Sequence, residues 1–190
     1  MHPHSILAMN MFGEYTVKFK NLVDCRIHIK KHEYEEAKAM LPESVHGYLT
    51  DENSKALSFA LKIVINSIYG YTKAHFDNPF KDPRNIDNIV AKRGALFMIN
   101  LKEEVQKRGF TVAHIKTDSI KIPDATEEII QFVTEYGESY GYFFEHEATY
   151  ERMCLVNDAV YIARYSDGTW TATGAQFQVP YVFKTLFSKE

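Results

Sequence analysis

Residues 62–70 read K-I-V-I-N-S-I-Y-G, and they bring a cation, an amide and a phenol into one short stretch. Lys62 and Asn66 are four apart and Tyr69 follows three later, so on a helix all three share one face. Such a stripe could meet a phosphate, a base and a sugar in order. A second stretch, 115–122, reads I-K-T-D-S-I-K-I. Its apolar residues alternate on both sides of Thr117-Asp118, which predicts two short strands with a carboxylate at the bend. One Asp held by a sheet suits Mg²⁺, which takes a few rigidly placed oxygen ligands and shares the rest of its shell with substrate phosphates. Thr, Asp and Ser are also ordinary turn residues, and an unremarkable hairpin would use the same letters.

In this order the two stretches resemble the fingers and palm motifs of family B DNA polymerases, a Lys-x3-Asn-Ser-x-Tyr-Gly helix followed by a Tyr-Gly-Asp-Thr-Asp-Ser-type hairpin. Here the hairpin reads His114-Ile115-Lys116-Thr117-Asp118-Ser119. The resemblance implies an α+β fold, a polymerase palm (small antiparallel sheet backed by helices) with a short helical fingers insertion. It implies template-directed DNA synthesis, in which a primer 3′-hydroxyl attacks the α-phosphorus of a deoxynucleoside triphosphate at a two-Mg²⁺ site. Asp118, with Thr117 beside it, takes the catalytic and metal-binding position. Lys62 and Asn66 take substrate-binding positions, and Tyr69 and Gly70 lie against DNA. Lys116 stands where the family has the first Asp of its pair.

Further matches extend the resemblance. Arg26 and Lys30 have the Arg-x3-Lys spacing that grips the triphosphate from the first fingers helix. Met1-His2-Pro3-His4 looks like the second half of Asp-x-x-Ser-Leu-Tyr-Pro-Ser, which puts His2 under the sugar and the family's metal-binding Asp four residues before Met1. One main metal ligand is therefore missing from this chain. Glu147 matches the second Glu of a Glu-x-Glu strand running near the metals. Tyr161 matches the Tyr of a primer-holding Lys-Lys-x-Tyr, whose two Lys are replaced by Asp158 and Ala159. In residues 89–94 Arg93 and Gly94 are interchanged relative to the family's Gly-Arg.

These residues need elements to hold them. The pattern divides the chain into the end of a first palm motif (1–19), fingers helices (20–73), palm (74–179) and the start of a thumb (180–190). Within the fingers, an acidic helical segment 33–41 and a turn at Pro42 lead back into a helix from Ser54 to Tyr69. Residues 74–88 are rich in Asn, Asp and Pro and predict a loop, whose Lys81 and Arg84 could reach backbone phosphate. Asp87 is the expected N-cap of a helix that ends at Lys107-Arg108-Gly109. A strand-like run 110–115 leads into the hairpin. Asp124-Ala125-Thr126-Glu127 reads as a capping box, followed by a strand over 143–150 with Glu145 and Glu147 on one side. Residues 153–165 and 170–177 predict a hairpin turned by Ser166-Asp167-Gly168.

Composition bounds the class. The chain has 190 residues, 45% of them hydrophobic, enough for a sizeable core and inconsistent with disorder. Cys25 and Cys154 form no metal spacing, and read as buried small hydrophobes in a reducing cytoplasm. That cytoplasm is a bacterial host's if the phage-like flavour of the short fingers holds. No run suits a membrane span. Net charge is −3, but residues 81–121 carry nine basic and five acidic residues, whereas 124–151 carry eight acidic residues and no Lys or Arg. The basic stretch could contact phosphates, or both could be solvated faces. The expected partners are primer-template DNA and dNTPs, with replisome proteins a further class. The competing reading is a non-catalytic nucleic-acid-binding remnant, to which the missing Asp, Lys116 and the lost Lys pair belong. A reverse-transcriptase-type palm is disfavoured by the 62–70 motif.

Overall fold

The computed structural model describes residues 1–85, 87–174 and 177. The expected thumb start, 180–190, lies outside them. The architecture is α+β: long helices with two small antiparallel sheets. The chain divides into two units, Met1–Ile99 with Gly137–Tyr142, and Asn100–Tyr136 with Phe143–Glu190. No helix among the described residues is long and apolar enough to cross a membrane.

The first unit contains α1 (His2–Ala8), α2 (Thr16–Lys30), α3 (Tyr34–Lys38), α4 (Asp51–Thr72) and the first half of α5 (Ile89–Lys107). Helix α4 begins three residues before the expected Ser54, because the Thr50 hydroxyl accepts from the Asn53 backbone N–H and Asp51 and Glu52 favour the positive end of the dipole. Ser54, Ser58, Ile65, Ile68 and Thr72 form its buried stripe. Ile65 and Ile68 join Ile6, Met11, Phe19, Val23 and Val90 in one core cluster; Cys25, Ile29, Ala37 and Leu49 make another. The second cluster anchors the α2–α3 turn. Outside it, His32 (φ +61°) and Tyr34 both bond Asp51 at 2.7 Å, tying that turn to the start of α4.

The start of α5 corrects one expectation. Asp87 does not cap it. The carboxamide oxygen of fully buried Asn85 accepts from the Val90 N–H at 3.3 Å, while its amide donates to the Thr72 hydroxyl. A buried amide serves here because it can donate to one element and accept from another, which a carboxylate cannot. The other end of α5 matches expectation. Gly109 (φ +87°) donates to the Gln106 carbonyl at 2.9 Å and Phe110 to the Val105 carbonyl at 3.4 Å, a Schellman closure that needs the left-handed residue.

Burial holds the His4 imidazole down at about 4; the N-terminal ammonium acts the same way and Asp24 opposes. Between the ordinary value of 6.5 and about 4 the unfolded chain binds more protons than the folded one. Stability is therefore complete above pH 6.5 and falls as pH drops through that window, by about 2 kcal/mol after allowance for partial exposure. Thermal melts should show this loss in the wild type and not in His4→Gln. Equal pH dependence in both proteins would remove His4 as the cause.

The second unit contains the rest of α5, most of α6 (Glu127–Ser139) and all the strands: β1 (His114–Lys116), β2 (Ser119–Lys121), β3 (Tyr150–Asn157), β4 (Val160–Tyr165) and β5 (Trp170–Thr173). Among the described residues, strands β1 and β2 pair only with each other, and β3-β4-β5 form a separate meander. Residues 110–113 are not strand; only Ala113 extends the pairing, through its N–H to the Lys121 carbonyl at 2.9 Å. The expected strand over 143–150 is likewise absent up to Tyr150. Its alternating pattern finds no neighbouring ladder among the described residues, and Glu145 and Glu147 are exposed.

The cap of α6 is Thr126, whose hydroxyl accepts from Ile129 N–H at 3.4 Å; Asp124 sits outside with φ +52°. Residues 153–165 are not one strand but parts of two. The Asn157 side chain accepts from the Ala159 N–H at 2.9 Å, and this Asx turn folds β3 back into β4. The β4–β5 turn is at Ser166-Asp167-Gly168 as expected, with Gly168 at φ +88°. Cys25 is buried, but Cys154 is exposed: on β3 only Tyr150 and Met153 are even half-buried.

Candidate functional site

In the first unit the 62–70 motif lies on α4, flanking its buried stripe. Lys62, Asn66 and Gly70 are exposed and Tyr69 is half-buried. The Tyr69 hydroxyl donates to Asn88 Oδ1 at 2.9 Å, and its ring stacks on His2, with centroids 4.3 Å apart and planes 22° from parallel. Two residues singled out from opposite ends of this unit's sequence thus form one aromatic step. Lys73 continues the stripe a turn beyond Tyr69 and holds its ammonium 5.3 Å from the Tyr69 ring centre. Sequence reasoning missed Lys73 and Asn88. The four-residue spacing from Tyr69 was a signal for Lys73; nothing local marked Asn88.

A Cβ at Gly70 would meet nothing within 4 Å, so this unit's own packing does not require glycine there. A glycine inside a helix costs about 1 kcal/mol relative to alanine. On α2, Arg26 is half-buried and its Nε donates to the Ser58 carbonyl at 3.2 Å, which fixes it against α4 one turn before Lys62. Lys30, a turn further on, is exposed.

Three further cations of this unit have partners within it. Arg84 makes three bonds of 2.6–3.1 Å to the Asp82 carboxylate, which its guanidinium holds below the usual carboxylate range. Lys81 pairs with Asp77 at 3.2 Å. Arg93 donates to the Tyr140 carbonyl at 2.7 Å and lies 4.8 Å over the Tyr142 ring. All three are engaged within this unit.

In the second unit Thr117 and Asp118 form the two-residue tip between β1 and β2, with Lys116 opposite Ser119. Both tip residues are exposed. Thr117 has φ +39° and the Asp118 N–H reaches back to the Lys116 carbonyl, a tight turn that a β-branched residue adopts only under strain. Strained backbone of this kind collects at functional sites. The hairpin is anchored at its base: His114 is buried, and its Nε2 donates to the Asp158 carbonyl at 2.9 Å.

Tyr161 projects from β4 into a cluster with Tyr150 and Tyr165. Hydrogen bonds from Thr173 and Tyr150, with the charge of Lys121, hold its phenol below the ordinary value; the charge of Glu147 works against them. Burial chiefly, with the Tyr161 hydroxyl, raises Tyr150 instead. Glu147 is thus felt at Tyr161.

A fold comparison can be set against this geometry. The solved structure of the family B DNA polymerase from the hyperthermophilic archaeon Pyrobaculum calidifontis superposes with a TM-score of 0.53 at 21% identity, covering 92% of this chain and 23% of that one. The likeness is one of fold. This chain spans less than a quarter of that polymerase's length. No family model matches the sequence, and no curated protein does.

For a metal, the donor chemistry is short. Asp118 offers one exposed carboxylate, but among the described residues no group of three or more His, Cys, Asp or Glu side chains converges. A cation, Lys116, stands two positions before it. This donor set does not by itself fit a two-metal centre, which needs several oxygen ligands around each ion.

Proposed function

We propose that the chain is the palm and fingers portion of a template-directed DNA polymerase of the family B type, acting on primer-template DNA and deoxynucleoside triphosphates. The observation that carries this reading is the His2–Tyr69 stack. Two residues assigned from separate motifs, one beneath the sugar and one beside the nascent base pair, meet in the folded chain. A flat aromatic step tests pair shape without reading sequence, because minor-groove acceptors are shared by the correct pairs. Exposed Gly70 follows, and its missing side chain leaves room for a backbone to approach. Lys62, Arg26 and Lys30 supply positive charge for a triphosphate, and Asn66 a polar contact beside it.

In the second unit Asp118, with Thr117 setting its turn, is the catalytic carboxylate; Tyr161 holds the primer, and Glu147 is a helper at the metal site. Asp118 would be one ligand of a Mg²⁺ site, and that site needs a second principal carboxylate. The remnant reading rests on Lys116 and on Asp158-Ala159 in place of a Lys pair.

Primer extension with Mg²⁺ separates the two. Residues 1–190 alone should not extend a primer, whereas a chain preceded by a strand ending in Asp-x-x-Ser and followed by a complete thumb should. If the completed chain binds primer-template yet incorporates nothing, the remnant reading stands. Robust synthesis by residues 1–190 would mean that the second carboxylate has been misplaced.

A further inference from the structure

The two lysines expected just before Tyr161 are absent, but the second unit carries two others facing the same ribbon. In the β1–β2 register His114 opposes Lys121 and Lys116 opposes Ser119. Residues two apart on a strand share a face, as do directly opposed ones, so His114, Lys116, Ser119 and Lys121 all lie on one side of the hairpin. The contacts show which side. His114 bonds the Asp158 carbonyl at 2.9 Å, the Lys116 ammonium is 3.5 Å from the Ala159 carbonyl, and Lys121 lies 5.4 Å from the Tyr150 ring centre and 5.9 Å from that of Tyr161. The hairpin therefore turns its basic face onto the β3–β4 turn and the tyrosines behind it, while Ile115 and Ile120 occupy the other face.

Neither ammonium has a carboxylate within ion-pair distance among the described residues, in contrast to Lys20, Lys38, Lys81 and Lys107. A neutral carbonyl and aromatic faces orient a lysine without neutralising it. We infer that Lys116 and Lys121 grip the phosphodiester backbone of a DNA strand lying along the Tyr150–Tyr161 platform, the hairpin supplying the positive charge that Asp158 and Ala159 do not.

This rests on the polymerase reading and names the contact that holds the primer strand. It also gives Lys116 a task at a position where a carboxylate would be expected: the side chain bends back to the β3–β4 turn. The local charge is mixed. Asp118, Asp158 and Glu147 are exposed in this region of the sequence and fold, and Glu151 is tied to Arg164 at 3.2 Å. Attraction must therefore come from direct contact with phosphate, because there is no broad positive field to draw a strand in.

The test is fluorescence anisotropy with a primer-template across a salt series, on the completed chain carrying the wild-type residues, K116Q/K121Q or K116R/K121R. Each phosphate contact contributes about 0.9 to the slope of log affinity against log salt. The double Gln variant should lose about tenfold in affinity at low salt and up to about 2 in slope, and the Arg variant should keep both. Acetylation footprinting of the unmodified protein gives a second readout independent of variant folding: DNA should protect Lys116 and Lys121. If the wild type binds DNA while the Gln variant keeps its slope, or while both lysines stay reactive in the complex, the grip is overturned and the polymerase reading survives. If the wild type binds no primer-template even at low salt, the polymerase reading fails and the grip fails with it.

Discussion

Asp118→Asn, made in a chain completed by the upstream Asp-x-x-Ser strand and a thumb, is expected to abolish primer extension while leaving primer-template binding nearly unchanged. The substitution keeps the shape of the side chain and its capacity to accept a hydrogen bond, and removes only its charge. Losing one preorganised charged group at a phosphoryl-transfer site costs on the order of 10²–10³ in rate, and a carboxylate with few companions should lie at the upper end or beyond. The tip geometry makes a trivial folding effect improbable as an explanation. Asp118 is exposed and donates only its backbone N–H to the turn, so the side chain supports nothing in the hairpin. Extension within tenfold of the wild type would sink the assignment. Parallel anisotropy measurements would separate loss of chemistry from loss of DNA.

Lys62→Ala should weaken productive triphosphate use by on the order of 10²-fold, the scale of a lost cation on a transferring phosphoryl group. The structure makes this a clean experiment. Lys62 is exposed on α4, has no ion-pair partner among the described residues and lies outside the stripe that packs into the core. Its removal should leave the melting temperature within the small range typical of surface substitutions. Steady-state kinetics of the completed chain at varied triphosphate, with primer-template saturating, gives the answer. A defect confined to DNA affinity, with triphosphate dependence unchanged, would show that α4 faces the nucleic acid and not the incoming nucleotide.

Parts of both units were legible because their signals are local. The Lys62–Asn66–Tyr69 stripe follows from helical geometry, and α4 carries it as the spacing predicts. Gly109 closes α5 because only a left-handed residue completes that hydrogen-bond pattern, and Thr117-Asp118 fall at the hairpin tip because apolar alternation stops there.

The misreadings share a different cause. Asp87 and Asp124 looked like caps, yet Asn85 and Thr126 do the work. A cap is chosen by which side chain reaches a free N–H, and several neighbours can compete for it. The 143–150 alternation needed a partner strand that it does not find among the described residues. The 153–165 run hid a turn that depends on a single Asn157 hydrogen bond.

What the sequence by itself determined was the residue chemistry and its local phase: which side chains share a helix face, where the hairpin bends, which positions lack their expected lysines. Tertiary structure alone decided which distant residues meet. His2 reaches Tyr69 only because α1 packs into the same cluster as α4, and Lys121 reaches Tyr150 and Tyr161 only because buried His114 pins the hairpin to the β3–β4 turn. Periodicity records the direction in which a side chain leaves its own element. The surface it finds there is set by packing between elements far apart in the chain, which no local spacing encodes.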